Sequence, residues 1–105
     1  MKYEIVRTDT ADEGIRRIIL YVARNFGNTV ALEKLDELEK GILELGTDPY
    51  LGTDPRYLAL KRRGYKVLII KKDLVFYKID EAQKRVIIHA VVDQRQDYLN
   101  VIRGL

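Results

Sequence analysis

Basic residues are concentrated between Arg56 and Lys72. This run contains seven cations and no acidic residue: Arg56, Lys61, Arg62, Arg63, Lys66, Lys71 and Lys72. Like charges repel one another unless an anion lies among them, and the flanking rings of Tyr57 and Tyr65 are of the kind on which unpaired bases stack. The run therefore predicts a surface that binds a polyanion. The alternative is a solvated edge strand whose charges prevent aggregation.

A second group that could do chemistry is Arg95 with Tyr98, close to the end of the chain. A guanidinium binds phosphate oxygens in a bidentate manner, and a phenol can stack on a base or transfer a proton. The alternative is structural: Tyr98 packs at the end of a sheet, while Arg95 pairs with Asp93 or Asp97.

Several classes of site are excluded by composition. The chain has no cysteine and one histidine, His89, so it has no disulfide, thiolate site or histidine-based metal site. Nucleotide-binding glycine loops and the G-x-S-x-G nucleophile motif do not occur. We predict no metal and no cofactor, and we expect His89 to be a buried, hydrogen-bonded core residue.

Length and hydropathy indicate one domain, residues 1–105. A chain of 105 residues with 47% hydrophobic residues can bury one core. The first residues lack the apolar segment of a signal peptide, and no later run is long enough to cross a bilayer. We therefore expect a cytoplasmic protein that does not contact membranes.

The first half of the chain predicts a strand followed by a helix. Residues Lys2–Arg7 alternate polar and apolar side chains, as a strand with one buried face does. Thr10 and Glu13 have the spacing of a capping box, which predicts a helix start, and Gly27 predicts its end. The apolar face of this helix is expected to contain Ile15, Ile18, Ile19, Val22 and Phe26.

A second helix follows at once and completes an antiparallel hairpin. Asn28 or Thr29 can cap it, and Gly46 is expected to end it. Its apolar face is predicted to carry Leu35, Leu38, Ile42 and Leu45. The pentapeptide Leu-Gly-Thr-Asp-Pro then occurs at Leu45–Pro49 and at Leu51–Pro55, which predicts consecutive turns.

The second half predicts strands joined by short connections, which require antiparallel neighbours. The expected strands are Tyr57–Lys61, Tyr65–Lys71, Leu74–Ile79 and Val86–Val92. Consecutive apolar residues place Val67–Ile70 and Val86–Ile88 in central strands. The predicted fold is α+β: an N-terminal strand, a two-helix antiparallel hairpin packed on a mainly antiparallel sheet of about four to five strands, and a short C-terminal helix.

The order of these elements and five local sequences resemble the RelE/ParE superfamily of toxins from type II toxin–antitoxin modules. The segments that carry the resemblance are Ile18–Phe26, Asp48–Gly52, Arg63–Leu68, Leu74–Tyr77 and Arg95–Tyr98. The resemblance implies a toxin that inhibits growth and is bound by a cognate antitoxin in a hetero-oligomer. The antitoxin is expected to cover the basic face with an acidic segment.

Members of the superfamily differ in mechanism. RelE-like toxins are mRNA interferases, endoribonucleases that cleave mRNA on the ribosome, whereas ParE-like toxins poison DNA gyrase. The resemblance to the nuclease branch assigns catalysis to Lys66, Arg95 and Tyr98. For this mechanism the acid-free run supplies the residues expected to bind RNA and phosphate, which are Arg56, Lys61, Arg62, Arg63, Lys71 and Lys72. The first expectation is ribosome-dependent mRNA cleavage.

The alternatives are a gyrase inhibitor without nuclease activity and a degenerate, non-toxic family member. Two departures from the nuclease pattern favour them. Lys66 stands where an arginine is usual, and Tyr57 and Ala59 stand where the nuclease branch keeps lysines.

Overall fold

The computed structural model describes residues 2–95 and 103–105. In chain order its elements are β1 (Glu4–Arg7), α1 (Asp9–Phe26), α2 (Asn28–Thr47), α3 (Leu58–Arg62), β2 (Lys66–Ile70), β3 (Asp73–Asp80) and β4 (Arg85–Asp93). Most of the predicted C-terminal helix lies outside the described residues.

The four described strands form one sheet in the order β1-β4-β3-β2. The short turns make β2–β3 and β3–β4 antiparallel, while β1 returns through the helical hairpin to lie parallel to β4. The predicted α+β fold is therefore confirmed. The two long helices cover one face of the sheet, where Leu38 and Leu45 pack with Tyr77 and Ile88. Each of these four side chains is 0% exposed.

The other face of the sheet has a smaller apolar cluster. The short helix α3 contributes Leu60, which packs with Tyr65 and Phe76. Leu105 lies against the same cluster. This face is covered by one helical turn and a tail segment, so polar side chains on it remain within reach of solvent.

Helix α1 begins at a different threonine from the one that the capping box predicted. The Thr8 hydroxyl accepts a hydrogen bond from the Ala11 N–H at 3.1 Å, so Thr8 and not Thr10 is the N-cap. The Thr8 N–H is itself bonded to the carbonyl oxygen of Ile88 at 3.0 Å. The prediction was wrong because the pairing of β1 with β4 decides where the chain leaves the sheet.

A single glycine joins the two long helices. Gly27 has φ 92°, a left-handed conformation that side chains disfavour, and it ends α1 as predicted. It also serves as the N-cap of α2, in place of Asn28 or Thr29. Phe26, predicted to lie in the core, is 64% exposed because the chain turns away from the sheet there.

Gly46 does not end α2, which continues to Thr47. The Gly46 carbonyl accepts from the Tyr3 N–H at 2.7 Å, and an added Cβ would lie 3.1 Å from the Tyr3 carbonyl oxygen. The glycine therefore permits close approach of the chain entering β1. Because α2 continues to Thr47, the first Leu-Gly-Thr-Asp-Pro copy is partly helical. In the second copy Thr53 pairs with Val67.

Two strand predictions were wrong in the second half. Tyr57–Lys61 was predicted to be a strand, but Leu58–Arg62 forms α3, since Thr53 already occupies the outer side of Val67. In addition β2 is an edge strand and not a central one, and its Ile69 is 58% exposed. An apolar run thus did not distinguish an edge strand from a central one, whereas β4 is central as predicted.

The turn that follows α2 is held by a buried phenol. The Tyr77 hydroxyl donates to the Pro49 carbonyl at 2.8 Å and accepts from the Gly52 N–H at 3.0 Å. A Cβ on Gly52 would lie 2.6 Å from the Tyr77 hydroxyl oxygen. A glycine is therefore required where the turn meets the sheet.

Tyr77→Phe should lower the free energy of unfolding by about 1–3 kcal/mol, because it leaves a carbonyl and an N–H without a partner in the interior. Tyr50→Phe is the matched control, since Tyr50 is 55% exposed. Urea unfolding of both variants measures the difference. Equal midpoints for the two variants would show that the hydroxyl does not hold the turn.

Candidate functional site

The Arg56–Lys72 run contains no acidic residue, but acidic residues from elsewhere in the chain lie next to it in the structure. Asp54 lies between two of its members, with Oδ2 3.5 Å from Lys61 Nζ and Oδ1 3.9 Å from Lys66 Nζ. The Lys66 ammonium also lies 5.6 Å from the ring centre of Tyr50. The turn fixed by Tyr77 therefore brings a carboxylate and an aromatic ring to the start of β2.

Other members of the run are distributed along both ends of β2. Lys71, in the β2–β3 turn, binds Glu37 of α2 at 2.7 Å. Arg63 donates to the backbone oxygen of Leu105. Arg56, Arg62 and Lys72 are exposed. The seven cations therefore do not form a single patch.

Lys66 and Arg95 lie at opposite ends of β2. Lys66 begins the strand, whereas the segment before Arg95 lies at its far end, where the Gln94 N–H donates to the Lys72 carbonyl at 2.7 Å. At the usual rise per residue, the two ends of β2 lie about 13 Å apart. Tyr98, the third predicted catalytic residue, lies outside the described residues.

Arg95 is engaged by a neighbouring carboxylate. Its Nε and Nη2 atoms lie 3.2 and 3.1 Å from the two oxygens of Asp93. The side-chain hydrogen bond from Arg95 lowers the pKa of Asp93. The structure therefore shows Arg95 paired with Asp93, which was the structural alternative to a role in binding phosphate.

A cluster that the sequence did not reveal surrounds Tyr65, whose side chain is 3% exposed. Lys78 Nζ lies 4.5 Å from the centre of the Tyr65 ring, the Arg63 guanidinium carbon 5.7 Å, and the His89 ring 5.2 Å in an edge-on contact. These side chains come from three separate segments: the link after α3, β3 and β4. Only the assembled sheet brings them together.

A bulge in the sheet explains the position of His89. Phe76 pairs with Ala90 and Tyr77 with Ile88, so His89 has no direct partner on β3. The prediction that His89 is a buried core residue was wrong, because His89 is only partly buried. Burial lowers the pKa of His89, and the charges of Lys78 and Arg63 lower this pKa further.

An apolar groove with a volume of about 750 Å³ lies between the helical hairpin and the end of the sheet. Three of its lining side chains are unusually exposed: Tyr21 at 50%, Phe26 at 64% and Val30 at 43%. Four cations and one acid, Asp93, also line it; the cations are Arg17, Lys34, Lys72 and Arg95. The groove therefore combines an apolar surface with positive charge.

A buried ion pair lies beside this groove. Lys34 Nζ lies 2.9 Å from Asp73 Oδ2, and Asp73 is 1% exposed. Burial raises the pKa of Asp73, whose Oδ1 has no hydrogen-bond partner among the described residues. Burial acts to lower the pKa of Lys34, but the carboxylates of Asp73 and Glu37 together raise it. The pair attaches α2 to the start of β3.

The described residues include no group of three or more acidic or histidine side chains that could hold a metal ion. None of the helices formed by these residues is both long and apolar enough to span a bilayer.

The fold is similar to that of several solved structures, and three of them illustrate the likeness. The chromosomal ParDE toxin–antitoxin system of P. aeruginosa aligns with a TM-score of 0.73 at 12% identity, over 88% of this chain and 96% of that one. The toxin–antitoxin complex RelBE2 of Mycobacterium tuberculosis gives 0.67 at 16% identity, with coverages of 91% and 95%. A double arginine-to-alanine mutant of the E. coli toxin RelE in the free state gives 0.58 at 18% identity, with both chains fully covered.

Sequence comparison gives the family. No curated protein sequence matches the chain significantly. The family described as "ParE toxin of type II toxin-antitoxin system, parDE" matches residues 5–98. This match spans most of the chain and agrees with the resemblance in its local sequences and with the fold. The chain therefore belongs to the ParE toxin family and is the toxin of a type II toxin–antitoxin system.

Proposed function

We propose that this toxin inhibits DNA gyrase by binding it, as ParE-like toxins do, and does not cleave RNA. The observation that carries the proposal is the separation of Lys66 from Arg95, each of which is bound to its own carboxylate. Cleavage of RNA by its own 2′-hydroxyl requires cations and a proton carrier positioned around a single phosphate. Two cations at opposite ends of a strand do not meet that requirement.

The residues on α3 add support. Tyr57 and Ala59, which stand where nucleases keep lysines, lie just before and within α3 and carry no charge. Nearby cations do not replace the missing lysines at one point, because Lys61 binds Asp54 and Arg63 binds the Leu105 backbone oxygen.

Ribosome-dependent mRNA cleavage is the second candidate. The exposed Arg56 and Arg62 favour it, because they would attract an RNA backbone to the α3 region. In this candidate Lys66, Arg95 and Tyr98 keep the catalytic roles that the resemblance to nucleases implies.

A supercoiling assay with purified gyrase separates the two candidates. The toxin should block supercoiling, and programmed ribosomes should keep their mRNA intact. Lys66→Ala and Arg95→Ala should each retain inhibition within about threefold, because exposed ion pairs contribute little energy. Cleaved mRNA with normal supercoiling, abolished by either substitution, would refute gyrase inhibition and support the nuclease.

The groove beside α1 suggests how the antitoxin is recognised. Tyr21, Phe26 and Val30 offer apolar contacts, Lys72 offers a positive charge, and Arg95 could exchange Asp93 for an acidic group of the antitoxin. An amphipathic segment with acidic residues next to its apolar face is complementary to this combination. In this proposal Arg95 recognises the antitoxin and has no catalytic role.

Phe26→Asp should weaken antitoxin binding by at least about 30-fold, because truncated apolar anchors at an interface cost about 2 kcal/mol or more and the new charge opposes acidic side chains. Calorimetric titration with the antitoxin measures the affinity. Leu32→Asp is the matched control, since Leu32 is 66% exposed on α2 and does not line the groove. Equal weakening by both substitutions would place the antitoxin elsewhere.

A further inference from the structure

Lys34 contacts two different environments at once. Its ammonium lies 2.9 Å from Oδ2 of Asp73, and Asp73 is 1% exposed. The same side chain lines the apolar groove together with Tyr21, Phe26 and Val30. Its burial is incomplete, since 20% of the Lys34 side chain is exposed. An acidic group that enters the groove can therefore reach a cation whose present partner is a buried carboxylate.

The carboxylate of Asp73 depends on Lys34 alone. Within residues 2–95 and 103–105, Lys34 is the only group that donates a hydrogen bond to this side chain, because Oδ1 has no partner there. Glu37 also contacts Lys34, at 3.4 Å, but Glu37 is bound by Lys71 at 2.7 Å as well. When Lys34 turns away, Glu37 keeps a cation and Asp73 keeps none.

The other charges around Asp73 do not compensate for the loss of Lys34. Burial raises the pKa of Asp73, and the negative charges of Asp93 and Glu37 raise it further. Asp93 lies directly opposite Asp73 in the pairing of β3 with β4, and Arg95 is bound to Asp93. The charged and titratable groups of the surrounding elements are Lys34 and Glu37 of α2, Lys71 and Lys72 of the turn before β3, Asp93 and Arg95 at and after the end of β4, and Arg17 and Tyr21 on the α1 side of the groove.

We propose, on the basis that the groove binds the antitoxin, that Lys34 binds an acidic side chain of the antitoxin there and that Asp73 takes up a proton when Lys34 leaves it. A carboxylate without water or a partner is much less stable than its neutral form. The proton comes from the solvent, and Lys34 pairs with one carboxylate before and after binding. Burial acts to lower the pKa of Lys34, but its carboxylate partners raise it, so the ammonium stays charged.

The antitoxin should then bind more tightly as the pH falls. A proton that is taken up on binding changes the affinity by up to about tenfold per pH unit. The gain ends at low pH, where Asp73 is already protonated in the free toxin. It is absent at high pH, where this carboxyl stays ionised in the complex as well. The raised pKa of Asp73 in the free toxin sets the lower limit of this pH range.

Calorimetric titration of the full-length toxin with the full-length antitoxin of the same module measures this proton. At about pH 6, the observed heats in two buffers of different ionisation enthalpy should correspond to an uptake of about 0.5 to 1 proton. Asp73→Asn keeps the side-chain shape without a titratable group, so the antitoxin should bind with almost no uptake. Asp36→Asn is the matched control, because Asp36 is 63% exposed and binds Lys40, and it should leave the uptake unchanged.

The contact between Lys34 and the antitoxin is tested without leaving a buried charge unpaired. The double substitution Lys34→Met with Asp73→Asn removes both charges of the pair, which proteins generally tolerate. It should bind the antitoxin at least about tenfold more weakly than Asp73→Asn alone, because a charge-assisted contact is lost. Urea unfolding of both variants checks that each is folded.

Three results would overturn the proposal. They are binding of the antitoxin without proton uptake, an uptake that persists in Asp73→Asn, and equal affinities of Asp73→Asn and the double variant. Each of them can occur while Phe26→Asp weakens binding and Leu32→Asp does not. The groove would then still be the antitoxin site, but Lys34 and Asp73 would not couple its occupation to a proton. Equal weakening by Phe26→Asp and Leu32→Asp would instead overturn the groove and this coupling together.

Discussion

The hydroxyl of Tyr77 connects the core of the protein to the turn that leads from α2 towards β2. The ring packs between the sheet and the helical hairpin, and the hydroxyl bonds to Pro49 and Gly52 of the turn after α2. That turn leads to Thr53, which pairs with Val67, and then to Asp54, which faces Lys61 and Lys66. One buried side chain thus fixes the position of Asp54, the carboxylate that pairs with Lys61 and Lys66.

Charge balance differs around the molecule because the two faces of the sheet are covered to different extents. On the helical side, α2 supplies acidic partners such as Glu37, which binds Lys71. On the other side, α3 contributes few side chains and no acidic one. Cations on that side, Lys78 and Arg63, therefore rest against an aromatic ring. A ring attracts a cation much less strongly than a carboxylate does when the site is partly hydrated.

The same asymmetry separates two surfaces of the molecule. The groove at Phe26 lies on the helical hairpin, while the Tyr65 cluster lies on the opposite face of the sheet. Arg95 lines the groove and is not part of the Tyr65 cluster.

The sequence alone determined the fold class and the family resemblance, because apolar periodicity, the Gly27 stop and the short turns are local features. It also identified Arg95 pairing with Asp93 as one alternative, since those residues are near neighbours. It did not determine the start of α1, the helical state of residues 58–62 or the edge position of β2. Each of these depends on which strand pairs with which.

The candidate sites needed the tertiary structure even more. Asp54 reaches Lys66 because Tyr77 holds the intervening turn, and His89 reaches Tyr65 because a bulge removes its partner on β3. The Arg56–Lys72 run contains no acidic residue, but acidic residues from other parts of the chain contact it in the folded protein. Electrostatic partners are chosen by distance in the folded state, and spacing along a sequence does not encode that distance once the chain has folded back on itself.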